Sequence, residues 1–109
     1  MPELPEVETT CRGIAPYLRG VSISRVLVRQ PQLRWPVPAQ VMALRDMPVV
    51  AVRRRAKFLL IDLASGQLLI HLGMSGSLRV LPVGSPAGKH DHVDVLLDSG
   101  KLLRLNDPR

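Results

Sequence analysis

Apolar residues recur at two different periods along this chain, and the change of period divides it. At the start, Leu4, Val7, Cys11, Ile14 and Leu18 stand three and four residues apart, which predicts an amphipathic helix with one apolar stripe. Pro5 suits the first turn of such a helix, and Glu6 and Glu8 suit the positive end of its dipole. Gly13 and Pro16 predict a distorted last turn, and Gly20 predicts its end. From Val21 the spacing shortens: Val21 and Ile23, then Val26 and Val28, predict a strand over 21–30. Pro31, Pro36 and Pro38 mark a loop around Trp35, after which 39–46 predicts a short helix with Val41, Met42 and Leu44 inward. Beyond Pro48 the pattern is β throughout. Strands are predicted at 49–55, 56–63, 67–72, 77–81, 91–98 and 101–106, with turns at Ser65-Gly66, Ser75-Gly76 and Ser99-Gly100 and a flexible loop over 82–89. The sum is a mainly β chain with flanking helices (α+β): an antiparallel β-sandwich, or a small barrel, with an N-terminal helix against it.

Length and composition narrow the class. The 109 residues suffice for one domain. With 46% hydrophobic and 22% charged residues, disorder is excluded. No apolar run approaches the roughly 18 residues of a membrane span. The acidic, Pro-rich start MPELPEVE does not read as a signal peptide. A single cysteine excludes an internal disulfide framework and a Cys-based zinc site, which fits a reducing, cytosolic setting. Cys11 falls on the helical stripe and reads as a core thiol.

Charge changes the picture more. Fifteen Lys and Arg against nine Asp and Glu leave a net charge of +6, and twelve of the fifteen cations are Arg. The guanidinium fork matches phosphate oxygens, so a polyanion is the natural partner. Aromatics are limited to Tyr17, Trp35 and Phe58, too few for a platform that stacks successive single-stranded bases. Binding to nucleic acid would therefore use phosphate contacts and a few wedges.

Several positions could carry chemistry. Once Met1 is removed, the terminal amine is the ring nitrogen of Pro2; if Met1 is retained, that nitrogen is an amide and cannot attack. A secondary amine that adds to a sugar aldehyde carbon forms an iminium, which acidifies the neighbouring C–H and permits phosphate elimination. A penultimate proline is also common and inert. Glu3, beside it, could move protons, and Glu6, about one turn on, is either a supporting carboxylate or a plain dipole partner. Lys57, read on a strand face shared with Leu59 and Ile61, is either a snorkelling stem or a functional ammonium. The run Arg53-Arg54-Arg55 before it reads as phosphate-binding or as a solvated strand edge. In H71-L72-G73-M74-S75-G76-S77 the glycines allow close backbone approach, and Met74 at the tip is either a wedge into a base stack or folded back on the sandwich. His90, Asp91, His92 and Asp94 carry no specific metal spacing.

Taken together, P2-E3-L4-P5-E6-V7-E8-T9, R54-R55-A56-K57, H71-L72-G73-M74-S75-G76, K89-H90-D91-H92-V93-D94 and D107-P108-R109 resemble the bacterial formamidopyrimidine-DNA glycosylases, in order and spacing, over essentially the whole chain. The resemblance implies base-excision repair of oxidised purines (8-oxoguanine and formamidopyrimidines). The abasic site would be nicked by β-elimination, or β,δ in the full-length enzyme. It assigns Pro2 as Schiff-base nucleophile, Glu3 as general acid/base and Lys57 as helper in elimination. His71, Met74, His90 and Arg109 become DNA contacts, with Met74 and Arg109 filling the gap left by the extruded base. It further implies a monomer acting on double-stranded DNA with oxidised purines or abasic sites, in the bacterial cytoplasm at the nucleoid. Residues 1–109 then correspond to the N-terminal catalytic β-sandwich domain. The family continues with a helix-two-turns-helix domain and a zinc finger, so no cofactor is expected in this chain and one zinc ion beyond it, and an isolated fragment should be weak or inactive. An endonuclease VIII-like enzyme for oxidised pyrimidines shares the Pro-Glu start, although Leu4 and V7-E8-T9 look more like the formamidopyrimidine branch. A non-catalytic module that binds damaged DNA is the other alternative.

Overall fold

The computed structural model describes residues 4–33, 37–73 and 75–108. The N-terminal helix α1 (Leu4–Leu18) is followed by strand β1 (Ser22–Val28), a one-turn helix α2 (Ala39–Met42), and strands β2 (Arg45–Arg55), β3 (Phe58–Leu63), β4 (Gln67–His71), β5 (Ser77–Pro82), β6 (Asp91–Leu97) and β7 (Lys101–Asn106). All neighbouring strands pair antiparallel, in one sheet of order β4-β3-β2-β1-β6-β7-β5. Register shifts at Ile23/Arg25, Val49/Ala51 and Asp91/Val93 interrupt the ladders, and such bulges bend a sheet. The two ends of the sheet face each other: Leu68 and Ile70 of β4 line the same interior space of about 310 Å³ as Val93, Val95 and Leu103 of β6 and β7. This is the sandwich that the alternation predicts.

Burial follows from that geometry. Leu59, Leu60 and Ile61 are all buried although successive side chains point to opposite faces, because β3 is covered on both sides. Helix α1 touches β2 and β3 on one half of the sheet and β5 on the other. Its stripe Val7, Cys11, Ile14, Ala15 and Leu18 is buried, and each fully buried aliphatic side chain contributes about 1.5–3 kcal/mol. Burial also pushes the Cys11 thiol up from its ordinary value, as expected of a core thiol.

Local differences have physical reasons. Leu4 stands 44% exposed, because the first residue of α1 projects beyond the sheet the stripe covers. Pro16 sits inside the helix, which runs on to Leu18 before Gly20 at φ 77° reverses it. The helix predicted over 39–46 stops at Met42, which faces solvent, and β2 starts at Arg45 with Asp46 at φ 48°. Strand 56–63 begins only at Phe58: Arg55 pairs with Phe58, so Ala56 and Lys57 form a two-residue turn. The predicted loop around Trp35 includes residues 34–36, which lie outside the described residues.

Candidate nucleic-acid interface

The site is built where three connections meet. The first is the β2–β3 turn. Arg54 donates from Nε to Glu8 Oε1 of α1 (2.7 Å) and from Nη1 to the Ala56 carbonyl (2.8 Å). Arg12 holds the other Glu8 oxygen at 2.9 Å. Hydrogen bonds from Arg54 and Arg12 keep the Glu8 carboxyl below the usual carboxylate range. The first turns of α1 are thereby tied to the turn that carries Lys57. Ala56 adopts φ 52°, a left-handed conformation that L-residues other than glycine rarely take. Lys57 is thus a half-buried turn residue and not a strand residue beside Leu59 and Ile61. No Gly or Asn announces the turn, which is why the pattern alone extends the strand through it. Glu6, in the first turn of α1, is exposed, and its carboxylate makes no ion pair among the described residues.

The second connection is the loop after β4. Phe58 pairs with His71 across the ladder, their rings 5.0 Å apart, so Lys57 and His71 share one end of β3–β4. The Gly73 N–H donates to His71 Nδ1 at 3.2 Å. Gly73 has φ 70°, and the Gly76 N–H closes the loop on the Leu72 carbonyl at 2.9 Å. A Cβ on Gly76 would collide with that same carbonyl oxygen.

The third is the start of β6 with the end of β7. The Asp107 N–H donates to the His90 carbonyl (3.0 Å), and His92 Nε2 meets the Asp107 carbonyl at 2.7 Å. Asn106 donates to Asp91 Oδ1 at 2.9 Å. The loop and the β7 end are joined by Ser75 Oγ, which donates to Asp107 Oδ1 at 2.6 Å. Hydrogen bonds thus gather His71, His90 and the segments flanking positions 74 and 109 into one network. Pro2, Glu3, Met74 and Arg109 themselves lie outside the described residues. Ser75 and Asp107 were not singled out from the sequence; the signal available was the Asp-Pro pair, which predicts a turn but not its partner.

Much of the basic charge is engaged internally. Arg53 pairs with Asp62 at 2.6 Å, Arg29 and Arg104 with Asp94 at 2.8 and 2.9 Å, and Arg54 and Arg12 with Glu8. Of the run 53–55, only Arg55 takes part in no ion pair among the described residues, and β2 is an interior strand, not an edge. Lys57 and Lys89 are likewise outside any ion pair among the described residues. The 82–89 loop, read as flexible, is pinned to the sheet: Arg104 donates to the Pro86 and Ser85 carbonyls (2.8 and 2.9 Å) and the Gly88 N–H to Asp91 Oδ2 (2.7 Å). Asp91, His92 and Asp94 are thus occupied in bonding the fold. Among the described residues no three His, Cys, Asp or Glu side chains are grouped to hold a metal ion. No helix among them is long and apolar enough to cross a membrane.

Comparison with known proteins fits this geometry. Residues 1–109 match the family described as Formamidopyrimidine-DNA glycosylase N-terminal domain. The formamidopyrimidine-DNA glycosylase of Alcanivorax borkumensis is 69% identical over all 109 residues, and that of Escherichia coli O7:K1 58%. In both cases the chain spans 40% of the relative's length. Among solved structures, the Lactococcus lactis enzyme bound non-covalently to DNA containing an AP site superposes with a TM-score of 0.87 at 27% identity, covering 97% of this chain and 41% of that one. A Lactococcus lactis mutant in complex with Fapy-dG-containing DNA gives a TM-score of 0.88 at 28% identity, covering 99% of this chain and 40% of that one. This chain belongs to the formamidopyrimidine-DNA glycosylase N-terminal domain family.

Proposed function

We propose that residues 1–109 form the catalytic N-terminal domain of a bifunctional DNA glycosylase and abasic-site lyase that excises oxidised purines from duplex DNA. The observation that carries this reading is the family match over residues 1–109. The network joining His71, the His90 carbonyl and the end of β7 supports it, because His71 and His90 are two of the positions assigned to DNA contact.

A damaged base inside a duplex is out of reach, and extruding it costs a few kcal/mol, a general figure for base-flipping enzymes that include glycosylases. Met74 and Arg109 would fill the space it leaves, while Lys57, His71 and His90 hold the backbone. The Pro2 nitrogen donates its lone pair to C1′, the base leaves with the C1′–N bond electrons, and the N–H proton that the alkylated Pro2 nitrogen gives up neutralises the departing base, which restores the nitrogen lone pair. Glu3 helps open the sugar by protonating the ring oxygen, which leaves a cationic iminium on Pro2. The Glu3 carboxylate, having given its proton to the ring oxygen, then takes the C2′ proton; the C–H electrons move toward C3′, and the 3′ phosphate departs with its bonding pair. Lys57 would assist this elimination, and Glu6 would support the charge balance at the helix start. The resemblance would place the family's zinc ion in a C-terminal finger and assigns it no ligand in residues 1–109. The protein would act as a monomer in the bacterial cytoplasm, at the nucleoid.

Borohydride reduction tests the nucleophile. Protein with Met1 removed should be trapped covalently on abasic or 8-oxoguanine duplex, and Pro2→Gly or retention of Met1 should abolish trapping. Undiminished trapping of Pro2→Gly would overturn the assignment.

A further inference from the structure

Two segments that flank positions assigned to DNA contact are each held by local bonds. The 72–76 loop is closed by the Gly76-to-Leu72 bond in a space that admits no side chain at position 76. The end of β7 is held by the His90 carbonyl and the His92 ring on the two backbone groups of Asp107, and Pro108 restricts the conformation of Asp107 further. The β5–β7 ladder sets the two side by side as far as Ser77 opposite Asn106, where its backbone pairing ends. The Ser75 hydroxyl on the Asp107 carboxylate bridges 32 residues of sequence at 2.6 Å, the length of a charge-assisted O–H···O⁻ bond.

We propose that Asp107 and Ser75 are positioning residues: their bond continues the β5–β7 contact beyond the Ser77–Asn106 pair and holds residues 75–76 against the end of β7, so that these two segments meet DNA as one preset unit. This rests on the function proposed above. The physical advantage is preorganisation. Without the bond, the loop is held against β7 only as far as the Ser77–Asn106 pair, and the remaining ordering falls on the step that opens the duplex and opposes binding there. The effect belongs to the opening of a duplex. A strand that is already unpaired needs no wedge and should not feel the loss.

The test uses the full-length protein that carries this domain, with Ser75→Ala, Asp107→Ala, the double variant, and Asp107→Asn, which keeps an oxygen to accept the hydroxyl. Single-turnover excision from 8-oxoguanine duplex should slow about tenfold in each alanine variant, the loss expected for one hydrogen bond to a charged group. The double variant should be no slower than the singles, and Asp107→Asn should restore most of the rate. Lyase activity on a single-stranded abasic oligonucleotide should stay within about twofold of wild type in all four. Unchanged duplex excision in the alanine variants, or equal loss on both substrates, overturns the proposal. A wild-type protein that forms no borohydride adduct would overturn the function proposed above instead. The lock is then read from a 2-aminopurine reporter beside the lesion: its brightening on binding should weaken in both alanine variants, and unaltered brightening would overturn the lock.

Discussion

Arg104 and Asp94 face each other as cross-strand partners of β6 and β7, joined by bonds of 2.9 and 3.0 Å where each side chain is 2% exposed. The remaining Arg104 donors reach the Ser85 and Pro86 carbonyls, so one guanidinium fastens both the strand pair and the 82–89 loop. Removing Arg104 leaves the buried Asp94 carboxylate with Arg29 as its one remaining ion-pair partner among the described residues and removes the donors that hold the 82–89 loop. Arg104→Ala should therefore lower unfolding free energy by about 3–5 kcal/mol, whereas Arg104→Met with Asp94→Leu should cost much less, because both charges leave together. Urea unfolding of the two variants checks this. Equal losses would show that the ion pair is not the source.

Acid should unfold the domain through a defined set of carboxylates. For Asp94, burial alone would raise the carboxyl, but hydrogen bonds from Arg104 and Arg29 outweigh it and hold it below its ordinary value. The Asn106 amide and the Gly88 N–H, against a smaller desolvation, do the same for Asp91. A carboxyl depressed in the folded state stabilises fully above its unfolded value of about 4 and progressively less as pH falls through the folded one. Unfolding free energy should be flat from neutral pH down to about 5 and then fall steadily below about 4. In the Arg104→Met, Asp94→Leu pair the fall should be shallower. Denaturation midpoints taken across this range decide it.

The β2–β3 turn offers a prediction of opposite sign. Ala56 at φ 52° holds a conformation in which its Cβ is strained, and glycine takes it freely. Ala56→Gly should raise unfolding free energy by about 0.5–1 kcal/mol. Because Lys57 is the next residue, the same substitution loosens the turn that presents the ammonium, and elimination at an abasic site should slow while the protein gains stability. Paired measurements of denaturation and strand nicking test both halves.

These positions also show what the sequence could and could not reveal. The period change that separates α1 from the strands is a property of single side chains, so Val7, Cys11, Ile14 and Leu18 are legible as a buried stripe and are buried. The family motifs are legible because they are local strings. Ala56 is illegible because nothing in an alanine announces a positive φ; the turn is imposed by the β2–β3 pairing and by Arg54. The fate of the arginines is illegible for a related reason. Arg104 and Arg55 look alike in a list of cations, yet one is enclosed by Asp94 and two carbonyls and the other is exposed. Ser75 and Asp107 meet because β5 pairs with β7, which sets Ser77 opposite Asn106 and brings together the residues just beyond that pair.

Gly76 is the position where backbone space, not backbone freedom, is decisive. Its own φ is not positive, but a Cβ there would overlap the Leu72 carbonyl oxygen, and that oxygen already accepts the Gly76 N–H at 2.9 Å. The obstacle is backbone, so no rotamer change relieves it, and Gly76→Ala must widen the loop or break the bond. A cost of about 1–3 kcal/mol is expected, the usual range for overpacking a tight site. Widening would also draw Ser75 from Asp107, so duplex excision should fall by at least as much as in Ser75→Ala, while activity on a single-stranded abasic oligonucleotide falls less. Gly73→Ala separates the two kinds of constraint: no atom lies within 4 Å of a Cβ there, and the strain comes from φ 70° alone, so its cost should be near 1 kcal/mol with a smaller effect on excision. Denaturation and single-turnover kinetics on both variants read the difference, and a Gly76→Ala protein as stable and active as wild type would show that the loop is less tightly closed than the Leu72 contact requires.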